Sequence, residues 1–216
     1  MYKRNQVELA ITKLLEPGAQ RPSSELRTRI KRLLETDRAV GRGSRSNDVE
    51  AADFAFFTDE APGSGFEVWF SDYEAFALVL GLQLMQHSWT QRFAVSVLRR
   101  VRPSLEKEHK RILNLDPRKL FDAKAIEAAR RPGSHAYPTT EAAFLVIVSY
   151  HGLSADQEDR PYACSVQRDL GTSTAWVQKT IKGVGGGSSM FELTNLVHRL
   201  ARALQQTTPQ SRGRPG

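Results

Sequence analysis

The stretch from 21 to 45 constrains the fold of this chain most, because it combines a strict apolar spacing with dense positive charge. Its apolar residues recur at intervals of three and four, the pattern of an amphipathic helix with one buried face. These residues are Leu26, Ile30, Leu33 and Leu34, with Val40 as a further candidate. Ser23 or Ser24 can cap this helix by accepting a hydrogen bond from a backbone N–H of the first turn. The same stretch holds eight basic and three acidic residues, which predicts a helix with an apolar side and a cationic side.

Such a helix has the size and charge of an element that enters a DNA major groove. In that interpretation its basic residues contact base edges or phosphates, and those near its end contact the flanking backbone. The residues predicted to contact base edges or phosphates are Arg27, Arg29, Lys31 and Arg32. Those predicted to contact the flanking backbone are Arg38, Arg42 and Arg45. The alternative for this stretch alone is a solvated helix face that is basic without binding a ligand.

The basic residues of the chain are concentrated in two blocks, 21–45 and 92–111. No Lys or Arg occurs between Ser46 and Gln91, where eight acidic residues fall. The formal net charge is +7 and the pI is near 9.7, which favours a polyanionic partner. The second block predicts a further phosphate-contacting surface, formed by Arg99, Arg100 and Arg102.

Composition favours a soluble protein of a reducing cytoplasm. Hydrophobic residues make up 40% of the 216 positions, enough for a packed core. Cys164 is the single cysteine, which excludes an intrachain disulfide and a zinc site built on cysteines. We expect no membrane segment, because no apolar run approaches the ~20 residues that a span needs. The five histidines lack metal-ligand spacing, and we expect no cofactor and no metal.

The first half of the chain reads as helices interrupted by a hairpin. A helix over 4–15, ended by Pro17-Gly18, precedes the basic helix. Aromatic segments at 53–58 and 66–70 flank a Pro-Gly turn and predict a β-hairpin, which after a recognition helix would be a wing. Three further helices are predicted: one from Ser71-Asp72, one from the capping box Ser88-Trp89-Thr90-Gln91, and one over 104–113, unless Pro103 only kinks the helix before it.

This order resembles the winged helix-turn-helix domain of the MerR family of transcriptional regulators, over roughly residues 4–113. The run Ile30-Lys31-Arg32-Leu33-Leu34-Glu35 is similar to that family's recognition helix, and Gly65-Phe66-Glu67-Val68-Trp69-Phe70-Ser71-Asp72 is similar to the end of its wing. The resemblance implies a DNA-binding protein. We expect it to dimerise through residues 104–113, the C-terminal domain or both, since helix-turn-helix proteins usually gain affinity and site length in this way. Two leucines replace the family's paired tyrosines and Glu67 replaces the wing arginine, so the helix and the second basic block have to supply most phosphate contacts.

The second half predicts a separate, smaller α+β domain. Strands are expected at 143–149 and 162–167, and 174–181 is either a third strand or a helix. A final helix is expected to start at Ser188 or Ser189, with Glu192 completing the cap. The predicted domains are 1–115 (winged helix and linking helix), 116–138 (connector), 139–205 (dimerisation or sensing) and 206–216 (disordered tail).

These patterns lead to one prediction of function and two alternatives. The fold class is α+β, with an N-terminal winged helix-turn-helix domain followed by a small domain containing a β-sheet and a terminal helix. The predicted function is sequence-specific binding of double-stranded DNA by a homodimeric transcriptional regulator, not an enzyme, with a small-molecule or protein effector at the C-terminal domain left open. The alternatives are a winged-helix adaptor for another protein, and a small enzyme that binds an anionic ligand at the turn Gly185–Ser189.

Overall fold

The protein is an α+β chain, as the sequence predicted, and its computed structural model describes residues 1–40, 53–58, 68–120, 141–150, 162–181 and 186–208. The chain forms two compact units, one of residues 1–102 with 199–216 and one of residues 103–198. This division differs from the predicted boundary at 116–138, most of which lies outside the described ranges. The predicted loop 41–49, the hairpin turn and the last eight residues of the predicted tail also lie outside them.

The first unit is built from helices and one short two-stranded ribbon. Three predicted helices, over 4–15, from Ser23 or Ser24 and from Ser71-Asp72, are confirmed. The elements in chain order are β1 (Tyr2–Lys3), α1 (Arg4–Leu15), α2 (Ser24–Val40), β2 (Trp69–Phe70), α3 (Asp72–Gln86) and the part of α4 (Gln91–Leu113) up to Arg102.

Helix α2 buries the apolar face that its spacing predicted. Leu26, Ile30, Leu33 and Leu34 are at most 5% exposed, whereas Val40, the last residue of the helix, is 51% exposed and does not belong to the buried face. The Ser23 hydroxyl accepts the Leu26 N–H at 3.0 Å and so caps the first turn. Because this face packs on α3, the opposite face of α2 is turned to solvent.

Helix α3 is apolar almost all round and forms the centre of the first unit. Its start is fixed by a reciprocal cap, in which Ser71 Oγ accepts the Glu74 N–H at 3.2 Å and Glu74 Oε2 accepts the Ser71 N–H at 2.6 Å. At Gly81 the surrounding chain comes so close that a Cβ atom would lie 3.2 Å from Phe56 Cζ and 3.3 Å from Leu98 Cδ1. The glycine therefore allows the segment 53–58 and helix α4 to pack closely against α3.

Helix α4 begins later than the predicted capping box and is not broken at the proline. Ser88 has a positive φ of 66°, and the Phe93 N–H donates to Thr90 Oγ1 at 3.3 Å, so Thr90 rather than Ser88 caps the helix. Pro103 lies inside the continuous helix Gln91–Leu113. Of the two alternatives for Pro103, a separate helix from residue 104 is therefore wrong, since these residues continue α4.

The predicted pairing of 53–58 with 66–70 as a hairpin is not what the described residues show. Residues 53–58 form no strand, although Phe54, Ala55, Phe56 and Phe57 are all buried. Strand β2 pairs instead with β1, with Tyr2 opposite Phe70 and Lys3 opposite Trp69. The alternation of aromatic residues in 53–58 reflects burial of an irregular segment rather than the face of a strand.

A buried ion pair holds the irregular segment 53–58 in place. Asp37 and Arg99 have side-chain exposures of 0% and 1%, and their Oδ1 and Nε atoms are 2.7 Å apart. The Asp37 carboxylate also accepts the N–H groups of Ala55 and Phe56, each at 3.0 Å. Arg102 donates to the carbonyl oxygens of Phe54 and Phe57, which lie at the two ends of the same segment. Side chains thus satisfy backbone groups that a strand ladder would otherwise satisfy.

The second unit contains a three-stranded antiparallel sheet in the order β4–β3–β5. The strands are β3 (Ala143–Tyr150), β4 (Tyr162–Arg168) and β5 (Gly186–Glu192), and the two strands predicted at 143–149 and 162–167 are confirmed. Ile147 is opposite both Cys164 and Ser189 in the register. Residues Leu145 to Val148 are fully buried, so both faces of the central strand are covered.

The region predicted as a third strand or a helix, 174–181, belongs to a helix. After the short α5 (Pro117–Leu120), helix α6 (Leu170–Ile181) packs on the sheet. Asp169 starts it, because its Oδ1 accepts the Thr172 N–H at 2.7 Å, and this hydrogen bond lowers the pKa of the carboxyl. The cap at Asp169 therefore starts a helix that continues through 174–181. The alternation of residue types from 174 onward does not reveal this cap.

The glycines and serines expected at a helix start lie in strand β5 instead. A Cβ atom at Gly186 would come within 2.6 Å of the Ser149 carbonyl oxygen, so close approach of the paired backbones requires a glycine there. The final helix α7 is Thr194–Gln205, and the predicted cap at Ser188 or Ser189 is wrong. Glu192 accepts the Asn195 N–H at 2.9 and 3.0 Å, while burial raises the pKa of its carboxyl.

Gly81→Val should destabilise the first unit. The added methyl groups would meet side chains that are already in van der Waals contact, so the free energy of unfolding should fall by about 1–3 kcal/mol. Urea denaturation followed by circular dichroism measures this loss. Ala39→Val, which also creates a β-branched valine but at an exposed position of α2, is the control and should change stability much less. Equal effects of the two variants would contradict the tight packing at Gly81.

Arg99→Met should lower the free energy of unfolding by about 3–5 kcal/mol, because it leaves the buried Asp37 carboxylate without its cation. The same change at the neighbouring Arg100, whose side chain is exposed, is the control and should cost far less. Denaturation of the two variants side by side gives the comparison. An Arg99→Met protein as stable as the wild type would contradict a structural role for this pair.

Candidate nucleic-acid interface

The exposed face of α2 carries most of the cations that the sequence assigned to DNA. Arg27, Lys31, Arg32 and Arg38 are exposed, and Arg29 is half-buried. At 3.6 residues per turn, Arg27, Lys31 and Arg38 lie within about 40° of one another around the axis and span roughly 16 Å along it. These three residues form one line of positive charge, here called the α2 stripe, and Arg32 lies to one side of it.

Several of these cations have acidic neighbours. Arg29 Nη2 lies 2.6 Å from Glu25 Oε1, Lys31 Nζ lies 3.7 Å from Glu35, and Arg27 Nε lies 3.9 Å from Glu8. The Lys31–Glu35 pair is more than half exposed at both ends. Exposed pairs of this kind contribute about 0–1 kcal/mol, so they do not hold the cations away from a phosphate.

The two other cations of α2 in the described residues, Arg32 and Arg38, are also exposed. The backbone carbonyl of Arg32 accepts a hydrogen bond from Gln91 Nε2 at 2.9 Å. The Arg38 guanidinium lies 5.9 Å from the centre of the Phe57 ring. Arg42 and Arg45, the other two residues predicted to contact the backbone, lie outside the described residues.

Two of the three arginines assigned to the second phosphate surface, Arg99 and Arg102, have a structural role, which corrects that prediction. Arg99 and Arg102 are 1% and 5% exposed and bind the Asp37 carboxylate and backbone carbonyls, so they cannot reach a phosphate at the surface. Arg111 binds Glu108 at 2.6 Å and Glu141 at 2.9 Å. Of the three residues assigned, Arg100 is the one on the surface.

The ribbon of β1 and β2 adds a cationic and aromatic surface that the sequence analysis missed. Phe70 is fully buried on one face, and Trp69 on the other face is 44% exposed, with Lys3 Nζ 5.1 Å above its ring. Arg4 follows directly and its Nε lies 2.8 Å from Glu8. A two-residue strand at the chain start is too short for a periodicity signal, so only the tertiary pairing reveals it.

A pocket of about 200 Å³ lies beside the first turn of α2. Its lining residues are Leu15, Glu16, Glu25, Leu26, Arg29, Leu82 and Gln86. The acidic side chains already have partners, since Glu16 accepts the Ser23 N–H at 3.2 Å and Glu25 binds Arg29. The volume is below the ~300 Å³ at which ligand pockets usually begin, and we assign it no ligand.

Outside the α2 face, the described residues show no arrangement that indicates another kind of site. In the described ranges, no group of three or more His, Cys, Asp or Glu side chains is placed to hold a metal ion. No helix in the part of the chain that the structure describes has the length and apolar character needed to cross a membrane. The turn Gly185–Ser189, suggested by the sequence as a site for an anionic ligand, belongs to strand β5 from Gly186 onward. It therefore lacks the helix N-terminus whose N–H groups would bind an anion.

Comparison with known proteins adds no family assignment to this geometry. No protein-family model, no curated protein and no solved structure matches this chain. The α2 face and its surroundings are therefore the basis on which a function is proposed.

Proposed function

We propose that the protein binds double-stranded DNA through the exposed face of α2 and acts as a transcriptional regulator. The observation that carries the proposal is the α2 stripe with Arg32 beside it, on a helix whose other face is anchored in the core. A major groove accepts one helix, and a rigid helix presents its cations at fixed spacing to phosphates and base edges. Burial of the opposite face keeps α2 from rotating, so the same side chains always face outward.

The fold of the first unit is proposed to be a variant of a winged helix-turn-helix, with α2 as its recognition helix. The order of α1, α2, α3 and α4 supports this, as does the basic character of α2. The ribbon of β1 and β2 stands where a wing would end, although its partner strand comes from the N-terminus. No catalytic step is part of the proposal.

The second unit is proposed to mediate dimerisation or the sensing of an effector. Large apolar side chains are exposed there, since Leu170 and Met190 are each 36% exposed. A dimer would place two α2 helices on one DNA face about one helical turn apart, which increases both affinity and site length.

Lys31→Ala combined with Arg32→Ala should weaken binding to a selected duplex and reduce the slope of log affinity against log salt by about two, because two phosphate contacts are lost. Both side chains are exposed, so the fold should be unaffected. The measurement is fluorescence anisotropy at several salt concentrations, on a duplex obtained by selection from a random library.

Lys107→Ala combined with Lys179→Ala is the matched control, since it removes two exposed cations from the second unit. It should leave the affinity and the salt slope close to those of the wild type. Equal losses in both double variants would mean that net charge alone attracts the DNA. An α2 variant with native circular dichroism and unchanged affinity would contradict the assignment of α2, and a selection without dyad symmetry would contradict the dimer.

A further inference from the structure

We propose that the ribbon of β1 and β2 is a second nucleic-acid contact, at which the Trp69 indole stacks on an unpaired base beside the duplex held by α2. This inference rests on the proposed function and extends it to a second class of DNA structure, a duplex that continues into a single strand. The residues concerned are Lys3, Arg4 and Trp69, none of which belongs to the α2 face.

The exposure of Trp69 is the first observation. The antiparallel pairing places Lys3 directly opposite Trp69, and because Phe70 is fully buried, the other face of the ribbon carries both side chains outward. Trp69 is 44% exposed, although an indole is among the largest apolar side chains. An exposed indole with a cation above it is the combination that proteins use to stack a base while binding its phosphate.

The second observation is the charge around the ribbon, which indicates the kind of ligand that binds there. Lys3 and Arg4 are consecutive, and Glu8 lies 2.8 Å from Arg4 Nε and 3.9 Å from Arg27 Nε. Two cations, Arg4 and Arg27, therefore share one carboxylate, which is largely covered with a side-chain exposure of 13%. Lys3 adds a third positive charge at the ribbon. Tyr2 OH donates to Asp72 at 3.2 Å, which places one further carboxylate at the ribbon. The balance remains positive and favours a polyanion over an apolar protein surface.

Continuity with α2 is the third observation. Arg27 is the first residue of the α2 stripe, and Glu8 contacts both it and Arg4 at the ribbon end of α1. One DNA strand that passes along the stripe would thus reach the ribbon next. In a duplex the bases are stacked on each other, so an indole finds a free base face only where pairing has ended. Trp69 is therefore expected to stack on an unpaired nucleotide.

The test compares a blunt selected duplex with the same duplex carrying a single-stranded extension of a few nucleotides, by anisotropy titration. The extension should tighten wild-type binding by about five- to a hundredfold, the range that one stacked base gives. Trp69→Ala should abolish this gain without changing the affinity for the blunt duplex. Trp69→Phe should retain part of the gain, since a phenyl ring can still stack. Leu113→Ala, at a position 38% exposed, is the control and should keep the full gain.

Fluorescence gives an independent readout, because stacking on a base quenches an indole. The extended duplex should quench the wild type and Trp176→Phe, but not Trp69→Phe. A wild type that binds the blunt duplex without any gain from the extension would overturn this inference and leave the proposed function intact. Loss of blunt-duplex affinity or a changed oligomeric state in Trp69→Ala would also overturn it. Failure of the wild type to bind any duplex would overturn both proposals.

Discussion

The buried ion pair of Asp37 and Arg99 joins three parts of the first unit that are distant in sequence. Asp37 comes from the last turn of α2, Arg99 from α4, and the N–H groups of Ala55 and Phe56 from the segment between them. Taking two charges out of water is costly, and the pair compensates only because each charge also has backbone partners. The arrangement fixes the C-terminal end of α2 against the core, so the direction in which its exposed cations point depends on it.

The same helix therefore serves as a core element and as a candidate binding surface. Its apolar residues pack inside, Asp37 anchors its last turn, and the cations occupy what remains of its circumference. This division explains why arginines in two basic blocks of similar composition have different surroundings. In α2 the cations lie on the exposed part of the circumference, beside the buried face, whereas Arg99 and Arg102 of α4 lie on the buried face itself. The difference between the two sets is the direction of the side chain.

The ribbon shows how a small tertiary pairing can change the interpretation of a segment. Trp69 and Phe70 resemble the end of a wing, yet their partner is the N-terminal pair Tyr2 and Lys3 rather than the aromatic segment 53–58. That segment is held by side-chain hydrogen bonds and needs no strand partner. The pairing brings Lys3 over the Trp69 ring, and Arg4, the first residue of α1, follows Lys3 directly. Two residues at the start of the chain thereby become part of a candidate site.

The sequence by itself determined α1, α2 and α3 and the strands β3 and β4. The buried face of α2 follows from a 3.6-residue period, and β3 follows from its short run of apolar residues, both of which can be read directly from local spacing. Tertiary structure decided which arginines face water, since both buried and exposed arginines occur in basic stretches. It also decided that Gly186 and Gly187 belong to a strand whose backbone lies close to Ser149, and that Lys3 pairs with Trp69. These outcomes depend on contacts between residues far apart in the chain, which leave no period in the sequence.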